Sequence, residues 1–464
     1  MFARNRRASG ARDMNGITEG VIWKNLLAFF FPILLGTLFQ QMYNTVDAII
    51  VGKFVGKEAL AAVGGATGTL INLIVGFFVG LSSGATVILS QFYGACDARR
   101  VSQTVHTAAA MALAGGAIIM VLGIAFSPAL LSWMGTPADV LPHAVSYIRV
   151  YFAGMIPSLI YNIGSGLLRA VGDSRRPLYF LIAACVTNIF LDILLVLGFE
   201  MGVAGAALAT ILSQAVSAVL VVYTLTRSTL SYRLTLSKIR FHGQLLGDIV
   251  RIGLPAGLQS VMYSVSNVII QAAVNGFGTD IVAAYTAYGK LDGFFWMTLN
   301  AFGISITTFV GQNFGARRFD RVRRSIWVCL GMTCGASVAL SSVLLLLGRP
   351  LYHLFTDDAA VVEYGMQMLW QLAPVYITYV CVEILSGALR GVGDSLVPTL
   401  FTLFGVCVVR MIWVLWLVPH HHTLYVLLLS YPVTWVLTSA LFIAYVLLSG
   451  WLGRAARKAG FDCP

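Results

Sequence analysis

Twelve apolar stretches, each of them longer than twenty residues, run through this sequence and constrain its fold more than any other feature. They lie near 26–51, 59–92, 102–127, 144–170, 178–198, 203–226, 247–275, 281–314, 325–348, 362–391, 397–418 and 423–449. A helix needs about 20 mostly apolar residues to cross a bilayer, and a helix satisfies its own backbone hydrogen bonds there. Only 11% of the residues are charged, against about 25% in a typical soluble domain, so a water-soluble fold is excluded. The sequence therefore predicts an all-α integral membrane protein with twelve transmembrane helices.

Two of these stretches, 59–92 and 281–314, exceed the length of one straight crossing. A span that is longer than the hydrocarbon core tilts, kinks or continues into the adjoining water. We expect one of these three outcomes in each case.

The positive charges alternate from one side of the predicted membrane to the other. Of the 30 lysines and arginines, 24 fall in alternate loops or at the termini, five of them within the first 24 residues. Because cytoplasmic loops are enriched in basic residues, both termini are predicted to be cytoplasmic in a multi-pass plasma membrane protein. The charge is then assigned to topology and anionic lipid head groups, and not to nucleic acid. No cleavable signal peptide is predicted, because the N-terminal basic region runs into a full-length span.

The sequence contains an internal repeat. Residues 165–177 (SGLLRAVGDSRRP) recur 221 positions later at 386–398 (SGALRGVGDSLVP), with nine of thirteen positions identical. At the same offset, Gln-x-x-Gly-Ala at 91–95 recurs at 312–316. Each half holds six spans, so both halves enter the membrane from the same side, as parallel repeats related by an axis along the membrane normal do.

The repeat and the charge pattern together predict a domain organisation. We expect a cytoplasmic N-terminus at 1–25, a six-helix lobe at 26–226, a basic cytoplasmic linker at 227–246, a second six-helix lobe at 247–449 and a cytoplasmic C-terminus at 450–464.

The repeated turn has a local explanation. Gly172 and Gly393 are suited to end a helix in the left-handed region, and Pro177 and Pro398 to open the next helix. The Arg and Asp of the turn are predicted to be structural, holding a cytoplasmic corner.

These two motifs and the two six-span halves resemble the multidrug and toxic compound extrusion (MATE) family, in its DinF-like branch of bacterial and archaeal members. The resemblance covers essentially the whole chain. It implies a V-shaped bundle of two parallel six-helix lobes that exports organic cations and other xenobiotics in exchange for protons or sodium ions. Alternating access, no enzymatic activity and no cofactor other than the coupling ion are then expected.

Ionisable residues inside predicted spans are the first functional candidates, because a charge at mid-bilayer costs about 2.5–3.5 kcal/mol. Asp47 lies in the first span, and Asp192 lies in the fifth, four residues after Asn188. With Thr210 in the sixth span, these residues resemble the family's pattern, which implies a cation-coupling site in the N-terminal lobe. The alternative is that these groups only hydrogen-bond helices to one another.

The chemistry of the two acids fits coupling. Two carboxylates close together in a low dielectric do not both ionise easily, so one is expected to load and release a proton. The same oxygens could ligate sodium, but no cage of five or six oxygens is evident and the proton is favoured. In the second half the repeat partners of Asp47, Asn188 and Asp192 are Ile270, Val409 and Trp413, which places coupling in the first lobe.

Polar residues at helical spacing predict a substrate cavity. Gln40 and Asn44 share a helix face with Asp47, and Tyr263, Asn267 and Gln271 recur every fourth residue in the seventh span. The expected substrates are small organic, cationic or amphipathic compounds, handled by a monomer.

Two prolines mark predicted helix bends. Pro32 of the first span recurs as Pro255 in the seventh, at an offset of 223. Each removes one backbone hydrogen bond from its helix and is predicted to bend it.

The second lobe carries buried charges of its own. Lys290, Asp292, Glu383 and Arg410 all fall inside predicted spans. They are expected to neutralise one another as a structural network, and a role in substrate binding or coupling is the alternative.

Other functions find little support. His420, His421 and His422 form a weak metal signal in a predicted external loop, so no metal site is assigned. No phosphate loop or hydrolase motif is present. The alternatives that stay open are a flippase or exporter of a lipid-linked or metabolite substrate on the same fold, a membrane-embedded enzyme and a channel.

Overall fold

The computed structural model describes residues 17–461, and all regular secondary structure in that range is helical. The helices are α1 (Ile22–Phe54), α2 (Lys57–Gly64), α3 (Ala66–Gly94), α4 (Ala98–Trp133), α5 (Leu141–Ala153), α6 (Met155–Ala170), α7 (Arg175–Gly198), α8 (Gly202–Arg227), α9 (Gly243–Asn275), α10 (Thr279–Gly315), α11 (Phe319–His353), α12 (Ala359–Leu372), α13 (Tyr376–Gly391), α14 (Leu396–His421), α15 (Leu424–Leu448) and α16 (Trp451–Lys458). Most of the predicted N-terminal segment, residues 1–16, and the last three residues, 462–464, lie outside the described range.

The helices confirm the predicted all-α membrane fold. Within the described residues, ten helical segments are long and apolar enough to cross a membrane, and the bent pair α5–α6 makes an eleventh. The remaining predicted span, 247–275, is part of α9, a continuous helix of 33 residues. Its polar residues make α9 less apolar than the other spans.

Several predicted spans are broken or bent at small residues. The stretch 59–92 is divided at Gly65, where an added Cβ would lie 2.7 Å from the carbonyl oxygen of Ala61. The span 144–170 bends by 52° between α5 and α6, at Gly154. By contrast α10 is one helix of 37 residues, about 55 Å long, and so extends beyond a hydrocarbon core of about 30 Å.

The described residues form two compact units, and the division of the chain between them falls inside helices. The first unit comprises Ala28–Gly257, and the second comprises Ile17–Leu27 together with 258–461. Helices α1 and α9 therefore each begin in one unit and end in the other. The predicted linker 227–246 and the first part of α9 belong to the first unit.

Specific hydrogen bonds hold the linker in the first unit. The backbone N–H of Thr235 donates to His106 Nε2 at 3.0 Å, and His242 Nδ1 lies 2.9 Å from the hydroxyl of Thr107. Burial, with the positive charge of Arg240 and the nearby His106, lowers the pKa of His242.

Glycines let α3 and the start of α9 pack closely. An added Cβ on Gly80 would lie 2.6 Å from the Cα of Gly257, and one on Gly84 would collide with the backbone of Ile249. Gly253 meets the backbone of α3 in the same way. This small-xxx-small crossing ties residues 243–257 to the first unit.

The repeated turn has the predicted backbone. Gly172 and Gly393 have φ values of 98° and 93°, in the region that favours glycine. The carboxylate of Asp173 accepts hydrogen bonds from the backbone N–H groups of Arg175 and Arg176, at 3.2 and 3.1 Å. Asp394 accepts one at the start of α14. The predicted structural role of the Asp is confirmed, since it caps the next helix in both halves.

Candidate functional site

The four residues predicted to couple a cation lie in the first unit and are all buried. Asp47 is on α1, Asn188 and Asp192 are on α7, and Thr210 is on α8. Asn188 and Asp192 have relative exposures of 0%.

The helices that carry these residues pack together one turn away from them. Ile50 and Val51 of α1 lie in one apolar cluster with Val196 of α7, and with Ala206 and Ala207 of α8. The two carboxylates are close enough to interact electrostatically. Helices α1 and α7 therefore place their two acids within electrostatic range of each other.

The polar atoms of this site are largely unsatisfied. Asp47 Oδ1, both carboxylate oxygens of Asp192 and both amide atoms of Asn188 have no hydrogen-bond partner within the described residues. None of the ion pairs in that range involves either acid. The hydroxyl of Thr210 donates to its own helix, to the carbonyl of Ala206 at 3.1 Å. Unpaired buried polar groups are costly, so the unpaired oxygens of Asp47, Asp192 and Asn188 are available to a proton or a cation.

Tyrosines complete this site, and sequence reasoning did not find them. Tyr43 and Tyr147 both lie within electrostatic range of Asp47, and Tyr147 also lies within electrostatic range of Asp192. Gln214 Nε2 donates to the Tyr43 hydroxyl at 3.4 Å. Tyr43 precedes Asp47 by one helical turn, a spacing that could have identified it. Tyr147 comes from α5, and no local pattern in the sequence links it to the acids.

The two polar residues predicted to share a face of α1 with Asp47 differ from it in exposure. Gln40 and Asn44 are exposed in the structure, and Gln40 hydrogen-bonds Tyr43 one turn on. Pro32 is buried inside α1, which continues on both sides of it. The predicted role of Gln40 and Asn44 in a substrate cavity stays a prediction.

In the second unit, the predicted polar residues of α9 differ from one another in exposure and in hydrogen-bond partners. The hydroxyls of Tyr263 and Tyr379 are hydrogen-bonded to each other. Asn267 is exposed, and Gln271 Nε2 donates to Asn275 at 3.0 Å on the same helix. Pro255 lies inside the continuous helix α9.

The four charges of the second unit do not pair with one another. None of the ion pairs among residues 17–461 joins two of them. Glu383 lies 3.9 Å from Arg390, the arginine of the repeated turn. Lys290 is exposed, and Asp292 accepts a hydrogen bond of 2.6 Å from the indole N–H of Trp296.

Arg410 has aromatic and hydroxyl neighbours. It is 4% exposed, its guanidinium lies 4.3 Å from the ring centre of Tyr431, and Nη2 donates to Thr434 at 2.9 Å. The hydroxyls of Tyr285 and Tyr431 are 2.9 Å apart, and those of Tyr288 and Tyr376 are 2.8 Å apart. A cation–π contact and a hydroxyl acceptor therefore hold Arg410, in place of the expected ion pair.

The repeat partners of the first-unit site are apolar. Ile270 is buried, and Val409 and Trp413 are partly buried. Trp413 donates its indole N–H to the carbonyl of Val426 at 2.9 Å. Within the described range, no group of three or more His, Cys, Asp or Glu side chains could hold a metal ion.

Fold and site together define an all-helical, multi-pass membrane protein of two repeats, whose first repeat buries acids at positions that are apolar in the second. Comparison with known proteins identifies the class more narrowly. The family model MatE matches residues 32–194 and 255–416, one segment in each repeat. The chain belongs to this family.

Curated relatives match along most of the chain. It is 28% identical to "Probable multidrug resistance protein YoeA" of Bacillus subtilis over 91% of this chain and 93% of that protein. It is 26% identical to an FAD transporter of Shewanella oneidensis, over 76% of this chain and 78% of the transporter. The multidrug export protein MepA of Staphylococcus saprophyticus is 22% identical, over 85% and 87%.

Solved structures share the fold. A crystal structure of MATE in the bent conformation superposes with a TM-score of 0.88 and 21% identity, covering 96% of this chain and 99% of that one. An outward-facing multidrug resistance MATE family transporter superposes with a TM-score of 0.86 and 22% identity, over 94% and 98%.

Proposed function

We propose that this protein is a secondary active transporter that exports small organic compounds in exchange for a cation, and that the cation is the proton. The relatives named as multidrug resistance or export proteins support the transport class. One observation carries the coupling: Asp47 and Asp192 are buried in one unit with carboxylate oxygens that no described side chain or backbone group satisfies.

The exchange follows from how such a pair responds to a proton. Two ionised carboxylates in a low dielectric repel each other, so adding one proton relieves the repulsion. Because Asp47 lies on α1, its neutralisation lets that helix repack around the backbone gap at Pro32. Alternating access requires an element with two stable arrangements whose equilibrium is shifted by a ligand. In this proposal α1 is that element, and one proton shifts its equilibrium.

The donors favour a proton over sodium. A hard cation is held by several oxygens at once. The described neighbours of the acids add phenolic groups rather than further carboxylates. Proton exchange needs only the two acids.

The remaining features of the proposal follow from charge and family. Both termini are cytoplasmic, the protein works as a monomer in the plasma membrane, and its substrates are cationic or amphipathic. Exposed Gln40 and Asn44 in the first unit, and Asn267 in the second, are the polar contacts proposed for substrate.

Export of a metabolite is the second candidate function. The relative from Shewanella oneidensis is named an FAD transporter, which is an anionic aromatic cargo. The positive charge of the buried Arg410 and the aromatic ring of Tyr431 that lies over it would suit such a molecule better than they suit an organic cation. Competition of a cationic dye and FAD for transport by the purified protein separates the two candidates.

Purified protein in liposomes tests the coupling ion. With potassium and valinomycin holding the membrane potential at zero, an acid lumen should drive accumulation of a fluorescent substrate in sodium-free buffer, and a protonophore should stop it. A sodium gradient without a pH gradient should drive none. If accumulation is unaffected by the protonophore and requires sodium, the four residues of the predicted coupling site would be sodium ligands instead. The exposed acid Asp139, changed to Asn, is the matched control and should behave as wild type.

A further inference from the structure

A basic cavity of about 520 Å³ lies in the second unit where α11 begins. Its lining consists of four arginines, one acid and two apolar residues: Arg317, Arg318, Arg321, Arg324, Asp320, Ile22 and Phe319. Its volume falls in the range of ordinary ligand pockets, about 300–1,000 Å³.

One wall of the cavity is built by two arginines that hold the segment before α1. Arg321 donates from Nη1 to the carbonyl of Gly20 at 2.9 Å, and from Nη2 to the carbonyls of Glu19 and Ile17 at 2.8 and 3.1 Å. Arg318 donates to the carbonyl of Thr18 at 2.7 Å. These bonds fix the two guanidinium groups, so the wall is organised before any ligand arrives.

The other two arginines are not engaged in this way. Arg317 lies over the ring of Phe461 at 4.6 Å, and Arg324 is exposed. Within residues 17–461 no ion pair involves either of them. Against four positive charges the lining offers only Asp320, with Glu19 at the edge, 3.6 Å from Arg318. Positive charge is therefore in excess.

The first repeat has a capping carboxylate at the equivalent corner. At the offset of 221, Arg318 corresponds to Asp97 and Arg321 to Arg100. Asp97 caps α4 by accepting from the backbone N–H of Arg100 at 3.0 Å, and it pairs with the Arg100 side chain at 3.7 Å. In the second repeat an arginine stands at the cap position, and its side chain does not cap α11. The second corner thus lacks the carboxylate that its counterpart has.

We propose that this cavity binds the phosphate group of an anionic phospholipid. Arginine forks match phosphate oxygens in pairs, and Arg317 and Arg324, which make no hydrogen bond to residues 17–20, line the same cavity as the two fixed arginines. The cavity lies between the ends of the consecutive helices α10 and α11 and beside the first residue of α1. The ends of membrane spans adjoin the polar head-group region of a bilayer, so a lipid phosphate is a ligand within reach of this cavity. Ile22 and Phe319 supply apolar contact for the start of an acyl chain.

Native mass spectrometry of the detergent-purified chain tests the assignment with three probes: short-chain phosphatidylglycerol, short-chain phosphatidylcholine and inorganic phosphate. Phosphatidylglycerol should bind, and the other two should not compete with it at equal concentration. Arg317→Gln/Arg324→Gln, which leaves the grip on residues 17–20 intact, should weaken phosphatidylglycerol binding by about tenfold or more. Arg99→Gln/Arg100→Gln at the first corner removes the same charge and should stay near wild type.

Two further measurements keep the result interpretable. Circular dichroism establishes that each variant is folded, and Arg317→Lys/Arg324→Lys, which keeps the charge, should restore part of the binding. Equal losses in the two glutamine variants would show general surface attraction and overturn the site. Equal binding of phosphatidylcholine, or equal competition by inorganic phosphate, would overturn the lipid assignment.

Discussion

Replacing both buried acids of the first unit, by Asp47→Asn and Asp192→Asn together, should remove the dependence of substrate accumulation on the pH gradient. The size of the effect has a structural ceiling, because two carboxylates exchange at most two protons in one cycle. Each proton moved across one pH unit supplies about 1.4 kcal/mol, which is a factor of ten in a substrate gradient. Wild type therefore supports at most about a 100-fold gradient per pH unit at zero membrane potential.

The variants should fall below that ceiling in steps. Each single substitution leaves one acid, and at most about a tenfold gradient per pH unit. The double variant leaves none. Folding should survive, because both oxygens of Asp192 and Oδ1 of Asp47 make no hydrogen bond to the described residues that an amide would break. Removing a charge that costs about 2.5–3.5 kcal/mol at mid-bilayer should, if anything, stabilise the helices.

The assay is steady-state accumulation of a fluorescent substrate in liposomes, with the lumen set to a series of pH values and the potential clamped with valinomycin. Asp139→Asn is the control for loss of an acid as such. A double variant that still responds to the pH gradient would refute the site. A wild-type gradient above about 100-fold per pH unit would show that further groups carry protons.

Three other predictions concern the repeat and its loops. Ile270→Ala and Trp413→Phe, at the second-half counterparts of the two acids, should leave the pH dependence of accumulation in the same assay unchanged. Gly172→Ala and Gly393→Ala should each lower the free energy of unfolding by about 1–2 kcal/mol, because alanine is strained at their φ values, and thermal unfolding in detergent should show the two effects adding. The pKa of His242 is lowered, so the unfolded chain binds that proton first as the pH falls. Its contribution to stability should be complete above about pH 6.5 and decline below it, and thermal unfolding at pH 5 and pH 8 should differ less in His242→Gln than in wild type.

Features set by local chemistry could be predicted from the sequence. Gly172 and Gly393 adopt positive φ because the chain must leave a helix there, and that requirement is visible within a few residues. The buried acids could be predicted for a similar reason. Asp47 and Asp192 interrupt apolar runs, and a charge in such a run needs an explanation wherever the helices go.

Features that depend on how helices pack could not be predicted. Tyr147 reaches the acids only because α5 packs beside α1. The ion pairs expected among the four charges of the second unit are absent from the described structure, and for Lys290 and Asp292 the reason is geometric. Lys290 and Asp292 are two residues apart, so they lie on different faces of α10, whereas Trp296 is one turn beyond Asp292 and meets it.

The boundaries of the two units could not be predicted from the sequence either. Residues 227–246 look like a linker because they are polar and basic. The boundary at 257 is set instead by the crossing of α3 and α9, where glycine pairs at 80 and 84 and at 253 and 257 bring two backbones into contact. Such pairs are common in membrane helices, and only tertiary structure shows which ones meet.

The two repeats keep one scaffold but differ in how far their buried charges are paired. Asp292 Oδ1 and Arg410 Nε have no hydrogen-bond partner among the described residues, but each of these side chains has a partner at another atom, whereas neither oxygen of Asp192 has one. In the second unit Asp292 accepts a short hydrogen bond from Trp296, and Arg410 is held by Tyr431 and Thr434. A charge with partners is stabilised in one ionisation state and one position, because changing either breaks those contacts. In the first unit Asp192 has no such partner in the described structure, so a proton can arrive or leave without first breaking a bond. This difference, rather than the number of acids in each half, is the physical ground for assigning coupling to the first repeat.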